Sequence, residues 1–190
     1  TQITTDFNVS TTLFRVDYDD QLQHNRTLDI YENLGETRQE GIELAADWQA
    51  TPHLTLGLGY TYLDTEQLNG ENKGNELANA PEHHISAHAG YQVGPWQASL
   101  TALHVSESFS DAANTEDETA DGAAGELPAY TLVNSRISRD FKVSGNDLQL
   151  ALAVNNLLDE EYYFRGVDVS PVGRLPAPGR SFILEANLDF

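Results

Sequence analysis

The chain has 190 residues, enough for one domain, and 30 acidic against 10 basic residues give it a formal net charge of −20. That charge excludes a nucleic-acid partner, whose phosphates it would repel, and the lack of cysteine excludes disulfides, thiol nucleophiles and thiolate metal sites. No apolar run reaches the roughly 18 residues of a membrane helix. A mean hydropathy of −0.44 suits a membrane β-barrel as well as a soluble protein, because only alternate barrel residues face lipid.

The chain opens on Thr1 in a strand-like pattern and contains no methionine, so it is expected to be a processed protein or the C-terminal piece of a longer one. Residues 4–23 read as a first strand. Phe7 and Val9 share one parity and Phe14, Val16 and Tyr18 the other, which predicts a bulge near Thr11 to Leu13. After a link at 24–28, a second strand runs over 29–50, with Ile42, Leu44, Ala46 and Trp48 alternating against Glu43, Ala45, Asp47 and Gln49. Pro52 and His53 turn the chain. Strand three, 54–66, sets Leu54, Leu56, Leu58, Tyr60 and Tyr62 against Thr55, Gly57, Gly59 and Thr61. Two glycines and period-2 alternation fit a strand and not a helix.

A polar loop at 67–80 leads to strand four, about 81–93, with Ile85, Ala87, Ala89, Tyr91 and Val93 on one face. Gly94-Pro95 turns into strand five, 96–109, which begins with Trp96, Ala98, Leu100 and Ala102 outward. Residues 110–126 form an acidic loop with no basic residue. Strand six, 128–141, carries Val133, Ile137 and Phe141 outward and Asn134, Arg136 and Ser138 inward. Strand seven, about 147–163, sets Leu148, Leu150, Leu152 and Val154 against Gln149, Ala151, Ala153 and Asn155. After a Pro- and Gly-rich loop at 164–178, the closing strand alternates Phe182, Leu184, Ala186, Leu188 and Phe190 against Ser181, Glu185, Asn187 and Asp189, with Ile183 the exception.

The links at 24–28, 67–80, 110–126 and 164–178 fall on one sheet edge and are mostly long. Those at 51–53, 94–95 and 142–146 fall on the other and are short. This asymmetry and the terminal aromatic predict an all-β fold: an antiparallel transmembrane β-barrel with about eight visible strands. Leu54, Leu56, Leu58, Leu148, Leu150, Leu152, Phe182, Leu184 and Leu188 should face lipid. A soluble up-and-down barrel would bury that face instead.

No catalytic set stands out: there is no nucleophile elbow, phosphate loop or pair of catalytic carboxylates, so an enzyme is not expected and no cofactor is implied. His84 and His88 share a strand face but lie about 13 Å apart at the strand rise, too far to chelate one ion, and His83 faces the other way, so no metal site is assigned. The acidic loop lacks the spacing and glycine of a calcium-binding EF-hand and is expected to be solvated and mobile. Arg165 and Arg174, with Tyr163 beside them, are the candidate ligand-binding residues, because guanidinium forks and aromatic faces suit anionic, oxygen-rich ferric chelates. They could equally meet lipopolysaccharide phosphates. Arg180, next to Pro178-Gly179, is expected to brace the barrel wall.

Several segments resemble the TonB-dependent outer-membrane receptors, in chain order. They are Asn33 to Leu44 with its Gly41-Ile42-Glu43, Leu56 to Asp64, Ala80-Pro81-Glu82-His83, Leu127 to Asn134, Val154 to Tyr163 with Asn155-Asn156-Leu157, and Pro178-Gly179-Arg180 with the terminal Phe190. The resemblance covers essentially residues 1–190 and implies a barrel of about 22 strands closed around an N-terminal plug. The chain would then hold the last eight strands, with the plug and earlier strands absent. It implies an outer-membrane location in a Gram-negative bacterium and energy-coupled uptake of a ferric siderophore or similar metal chelate. The implied partners are the chelate, a TonB-type energy-transducing protein acting through the plug, outer-membrane lipid and lipopolysaccharide, and the barrel-insertion machinery. Phe182, Leu184, Leu188 and Phe190 resemble the assembly signal that this machinery reads. The alternative is a small, self-closed outer-membrane barrel with a structural or adhesive role.

Overall fold

The computed structural model describes residues 2–4, 6–25, 29–120, 124–165 and 174–189. Nine strands form one antiparallel sheet: β1 (Gln2–Thr4), β2 (Phe7–Tyr18), β5 (Thr37–Thr51), β6 (Leu54–Gln67), β7 (His83–Val93), β8 (Trp96–Val105), β11 (Tyr130–Val143), β12 (Asn146–Asn155) and β15 (Ser181–Asp189), in that spatial order. Three small hairpins stand on the connections at one end: β3 (Leu22–Asn25) with β4 (Ile30–Asn33), β9 (Ser108–Phe109) with β10 (Glu126–Leu127), and β13 (Tyr163–Arg165) with β14 (Arg174–Pro176). The eight expected strands are β2, β5, β6, β7, β8, β11, β12 and β15. Among the described residues β15 pairs only with β12, and the sheet does not close on itself.

At the opposite end three two-residue turns join the strands. Ser144 and Gly145, at φ 53° and 90°, make the doubly left-handed turn that matches the twist of a hairpin, and Gly94, at φ 54°, opens the Gly-Pro turn. Pro52-His53 links β5 to β6 beside a register shift between Gln49 and Thr51.

The register carries the parity pattern across the whole sheet. One row of cross-strand partners runs Phe7, Trp48, Leu56, Ala89, Leu100, Ser135, Val154, Phe182. Another runs Leu54, Tyr91, Ala98, Ile137, Leu152, Leu184. All nine leucines and phenylalanines expected on the lipid side share this face. Leu184 is 82% exposed, Phe182 69%, Leu58 53% and Trp48 47%. Buried apolar side chains among the described residues are only Leu34, Leu77, Val105, Leu127 and Ala151, whereas Thr37, Gln67 and Ser138 are almost wholly enclosed. An apolar face of this extent far exceeds the roughly 300–600 Å² patches of soluble monomers.

Several expectations are corrected. β2 pairs with β5 without interruption from Phe7↔Trp48 to Tyr18↔Thr37, so no bulge lies near Thr11 to Leu13. The parity change has another cause: Phe14 sits on the polar face opposite Gly41, and its ring covers the space that a side chain would fill there. Residues 4–23 and 29–50 are not single strands. The first is broken around Asp6, where β1 turns into β2, and around Asp20 (φ 57°); the second is broken at Gly35 (φ 75°). The link between them therefore spans 19–36 and holds its own hairpin, instead of the short segment 24–28. Strand seven stops at Asn155 because Asn156 adopts φ 51°. Strand five stops at Val105, and the acidic loop is not simply solvated, as described below.

Candidate functional site

The long connections gather at one rim, and the motif residues prove to be its joints. Asn33 accepts a hydrogen bond from the Gly35 amide at 2.7 Å and donates to Asp20 at 2.9 Å. Gly35 is doubly constrained: it has a positive φ, and a Cβ there would meet Asn69 Oδ1 at 2.1 Å. That same oxygen accepts from the Glu36 amide at 3.0 Å. Thr37, fully buried, donates to Gln21.

Asn156 organises the second joint. Its amide exchanges two 2.9 Å bonds with the backbone of Glu160, and its own N–H donates to Asn134 Oδ1 at 2.9 Å. The Leu157 N–H donates to Val133 O at 2.7 Å. Asp159, again left-handed at φ 58°, accepts from the Arg180 amide at 2.9 Å and from its guanidinium at 3.2 Å, while Arg180 also donates to Leu157 O at 3.2 Å. Arg180 thus ties the foot of β15 to the turn after β12, as expected of a wall brace. His83 has a similar local role. Its ring lies between Tyr60 and Tyr62 at 6.0 and 5.5 Å, with the Tyr60 hydroxyl 3.1 Å from Nδ1, and its N–H donates to Ser106 Oγ at 3.0 Å.

The loops at 67–80 and 110–120 are locked together. Gln67, only 1% exposed, donates to Glu76 O at 3.1 Å and to Ala112 O at 2.8 Å. Asn75 donates to Ala112 O at 3.1 Å, and the Glu76 amide donates to Asn114 Oδ1 at 2.7 Å. Asp111, a candidate calcium ligand by charge alone, instead accepts from Ala113 N, Thr115 N and Thr115 Oγ1 at 3.0–3.2 Å. The acidic loop is therefore built onto its neighbour where a freely solvated loop was expected. Partial burial, with Glu82, Asp64 and Glu107 nearby, raises the Glu76 carboxyl above its ordinary range.

The candidate ligand residues come together on the β13–β14 hairpin: Arg165 and Arg174 are register partners, and Tyr163 pairs with Pro176. Tyr162, next to Tyr163, packs against Tyr130 with the rings tilted and their centroids 4.9 Å apart. A shallow cavity of about 360 Å³ at the foot of this hairpin is lined by Asp159, Glu160, Glu161, Tyr162, Tyr163, Pro176, Ala177 and Gly179. Of the assembly residues, Phe182, Leu184 and Leu188 lie on the apolar face of β15, and Phe190 lies outside the described residues, as do 166–173 of the hairpin loop. His84 and His88 share the polar face, opposite Thr61 and Gly57, and His83 the apolar one, opposite Tyr62. No cluster of three metal-ligating side chains forms among the described residues.

Two features escaped the sequence reading. Gln67, the hub of the loop lock, gives no periodic signal. Arg139 shares the parity of Ile137 and Phe141, so it stands on the apolar face between Trp96 and Leu150. Its parity could have found it.

A family model for the β-barrel of TonB-dependent receptors matches residues 3–157. The metal-pseudopaline receptor CntO of Pseudomonas aeruginosa is 29% identical over 160 residues, covering 82% of this chain and 21% of that protein. The vitamin B12 transporter BtuB of Photobacterium profundum is 32% identical over 130 residues, covering 68% and 19%. Among solved structures, the unliganded ferric citrate transporter FecA superposes with a TM-score of 0.82 at 28% identity, over 96% of this chain and 29% of that one. The copper transporter OprC superposes at 0.74 and 17% identity, over 98% and 29%, a likeness of fold alone. The chain spans about a fifth of the length of these two curated relatives.

Proposed function

Because the chain belongs to the TonB-dependent receptor β-barrel family, whose members are transport receptors of the Gram-negative outer membrane and not enzymes, we propose that residues 1–190 form the C-terminal wall of such a receptor. They would supply the last eight full strands of about 22, with β1 the end of the strand before them. The whole receptor takes up a ferric siderophore or a similar metal chelate, driven by a TonB-type protein that acts through the plug. The apolar face running unbroken from β2 to β15, over a sheet with almost no apolar interior, carries this proposal. In hydrocarbon an unpaired strand edge is unfavourable, so the open sheet calls for further strands and argues against a self-closed eight-stranded barrel.

Within that receptor, Arg165 and Arg174 bind the anionic chelate, with Tyr163 beside them. The backbone register sets the two arginine positions opposite each other on one hairpin, which supports this reading. A charge-assisted hydrogen bond contributes roughly 1.5–3 kcal/mol, so losing one contact weakens binding about ten- to a hundredfold. The test expresses the complete receptor in an iron-starved host lacking its own chelate receptors, and measures binding and uptake of radiolabelled iron as ferric citrate and as a ferric catecholate. Arg174→Ala and Arg165→Ala should bind the accepted chelate more weakly at matched receptor levels. Unchanged affinity in both removes the hairpin from the ligand site, and no uptake of any ferric chelate refutes the transport proposal.

A further inference from the structure

Among the described residues, the apolar face carries one cation that no ion pair explains. Arg139 is the register partner of Trp96 on β8 and of Leu150 on β12, and Ile137 and Phe141 flank it along β11. Its guanidinium carbon lies 4.9 Å from the Trp96 ring centroid and 4.8 Å from that of Phe141. Among the described residues of β6, β7, β8, β11, β12 and β15 it is the one lysine or arginine on this face, and it has no carboxylate partner there. The acidic neighbours in sequence and register, Asp140 and Asp147, lie on the other face, where Asp140 accepts from Gln149 and Asp147 pairs with Lys142.

An unpaired cation facing hydrocarbon is costly, and the cost falls towards the membrane surface. Arg139 stands five residues from Ser144, about 12 Å above the short-turn tip for a tilted strand. At that depth a long side chain keeps its stem in the apolar layer and its head at the boundary. The two rings hold the guanidinium plane by cation–π contact. They leave N–H edges that suit the paired oxygens of a phosphate, which a lysine ammonium meets only as a point charge.

We propose that Arg139, held by Trp96 and Phe141, is a binding site for the phosphodiester group of a membrane phospholipid in the leaflet at the short-turn end, with the acyl chains lying along Ile137 and Leu150. The inference rests on the apolar face meeting lipid. It is independent of which chelate the receptor carries.

The complete receptor, delipidated in detergent, is titrated with phosphatidylglycerol and followed by native mass spectrometry. The wild type should hold one phospholipid more tightly than the rest. Arg139→Leu should weaken that adduct about ten- to a hundredfold, the worth of a charge-assisted contact. Arg139→Lys should fall between the two. Inorganic phosphate at the same concentration should not displace the lipid, because it lacks acyl chains. Equal adducts in wild type and Arg139→Leu overturn the proposal, and so does displacement by inorganic phosphate, which would make this a free-anion site. If Arg139→Leu does not fold, as judged by heat-modifiable migration, Arg139→Gln serves instead and must show the same loss. Chelate binding by the folded variants is unchanged, so a receptor that takes up no chelate and still loses its lipid adduct refutes the transport proposal alone.

Discussion

Gly41 stands in the middle of the wall, between Phe14 on β2 and Leu63 on β6, and the structure gives a sharp expectation for Gly41→Ala. A Cβ at this position would lie 2.1 Å from the backbone oxygen of Tyr62 and 2.9 Å from Phe14 Cζ. The aromatic ring can rotate aside, but the carbonyl belongs to the β5–β6 ladder and moves only with its strand. Overpacking of this kind costs about 1–3 kcal/mol, and a lost ladder hydrogen bond adds about 0.5–1.5 kcal/mol. Together they predict about 2–4 kcal/mol of destabilisation, measured as the shift in urea unfolding of the complete receptor in detergent micelles. Gly90→Ala and Gly59→Ala are the controls. They sit on the same polar face, but the atoms a Cβ would meet are Thr55 Oγ1 at 2.7 Å and Ser86 Oγ at 2.6 Å, which a rotamer change removes. They should cost less than about 1 kcal/mol beyond any change in strand propensity. A Gly41→Ala receptor within about 0.5 kcal/mol of wild type, or one no worse than Gly90→Ala, would refute the steric account.

Asn156→Ala should destabilise the same unfolding transition by about 2–3 kcal/mol, through two lost side-chain hydrogen bonds to Glu160 and a left-handed backbone that alanine tolerates poorly; a shift no larger than that of an exposed loop substitution would count against it. Glu76→Gln should slow proteolysis of the 67–80 and 110–120 loops at neutral pH. The folded carboxyl is raised, so the lock is strongest below the ordinary carboxylate range and weakens as pH rises through the raised value. Equal cleavage rates at neutral pH, or protection by the variant only in acid, would contradict this. Phe190→Ser should lower the amount of heat-modifiable, protease-resistant receptor in the outer membrane, and wild-type levels would remove Phe190 from the assembly signal.

The strand faces were legible because a period of two survives any register, and one buried or lipid-covered face leaves an alternating trace. Leu54, Leu56 and Leu58 on β6 and Leu148, Leu150 and Leu152 on β12 meet on one sheet face although some 90 residues separate them. The same period misled at Phe14, where an aromatic covers a glycine across the ladder and takes the polar face for that reason. The rim was less legible. Its lock consists of side-chain amides on distant backbone oxygens, such as Gln67 on Ala112 O, and any residue can supply that oxygen. Strand ends failed for a related reason: Asn156 and Asp159 end β12 by left-handed turns inside a sequence whose tyrosines otherwise suit a strand.

The motifs through which the family is recognised therefore carry wall construction. Asn33 and Gly35 seat the turn into β5, His83 fits between Tyr60 and Tyr62, and Asn156 with Asp159 binds β11, β12 and β15 at one corner. None of them is committed to a ligand by its contacts. Proteins that share this wall bear names for a metal–pseudopaline complex, vitamin B12, ferric citrate and copper. Under the proposed function, cargo choice lies away from these joints, in the long connections at 19–36, 106–129 and 157–180 and in the parts of the receptor outside this chain. The connection at 110–126 carries carboxylates and no basic residue, whereas 157–180 mixes four carboxylates with Arg165, Arg174 and Arg180. Under the proposed chelate uptake, an anionic face would gain towards the arginines and lose towards the acidic loop, so a chelate with a neutral or cationic second face would fit better than a uniformly anionic one.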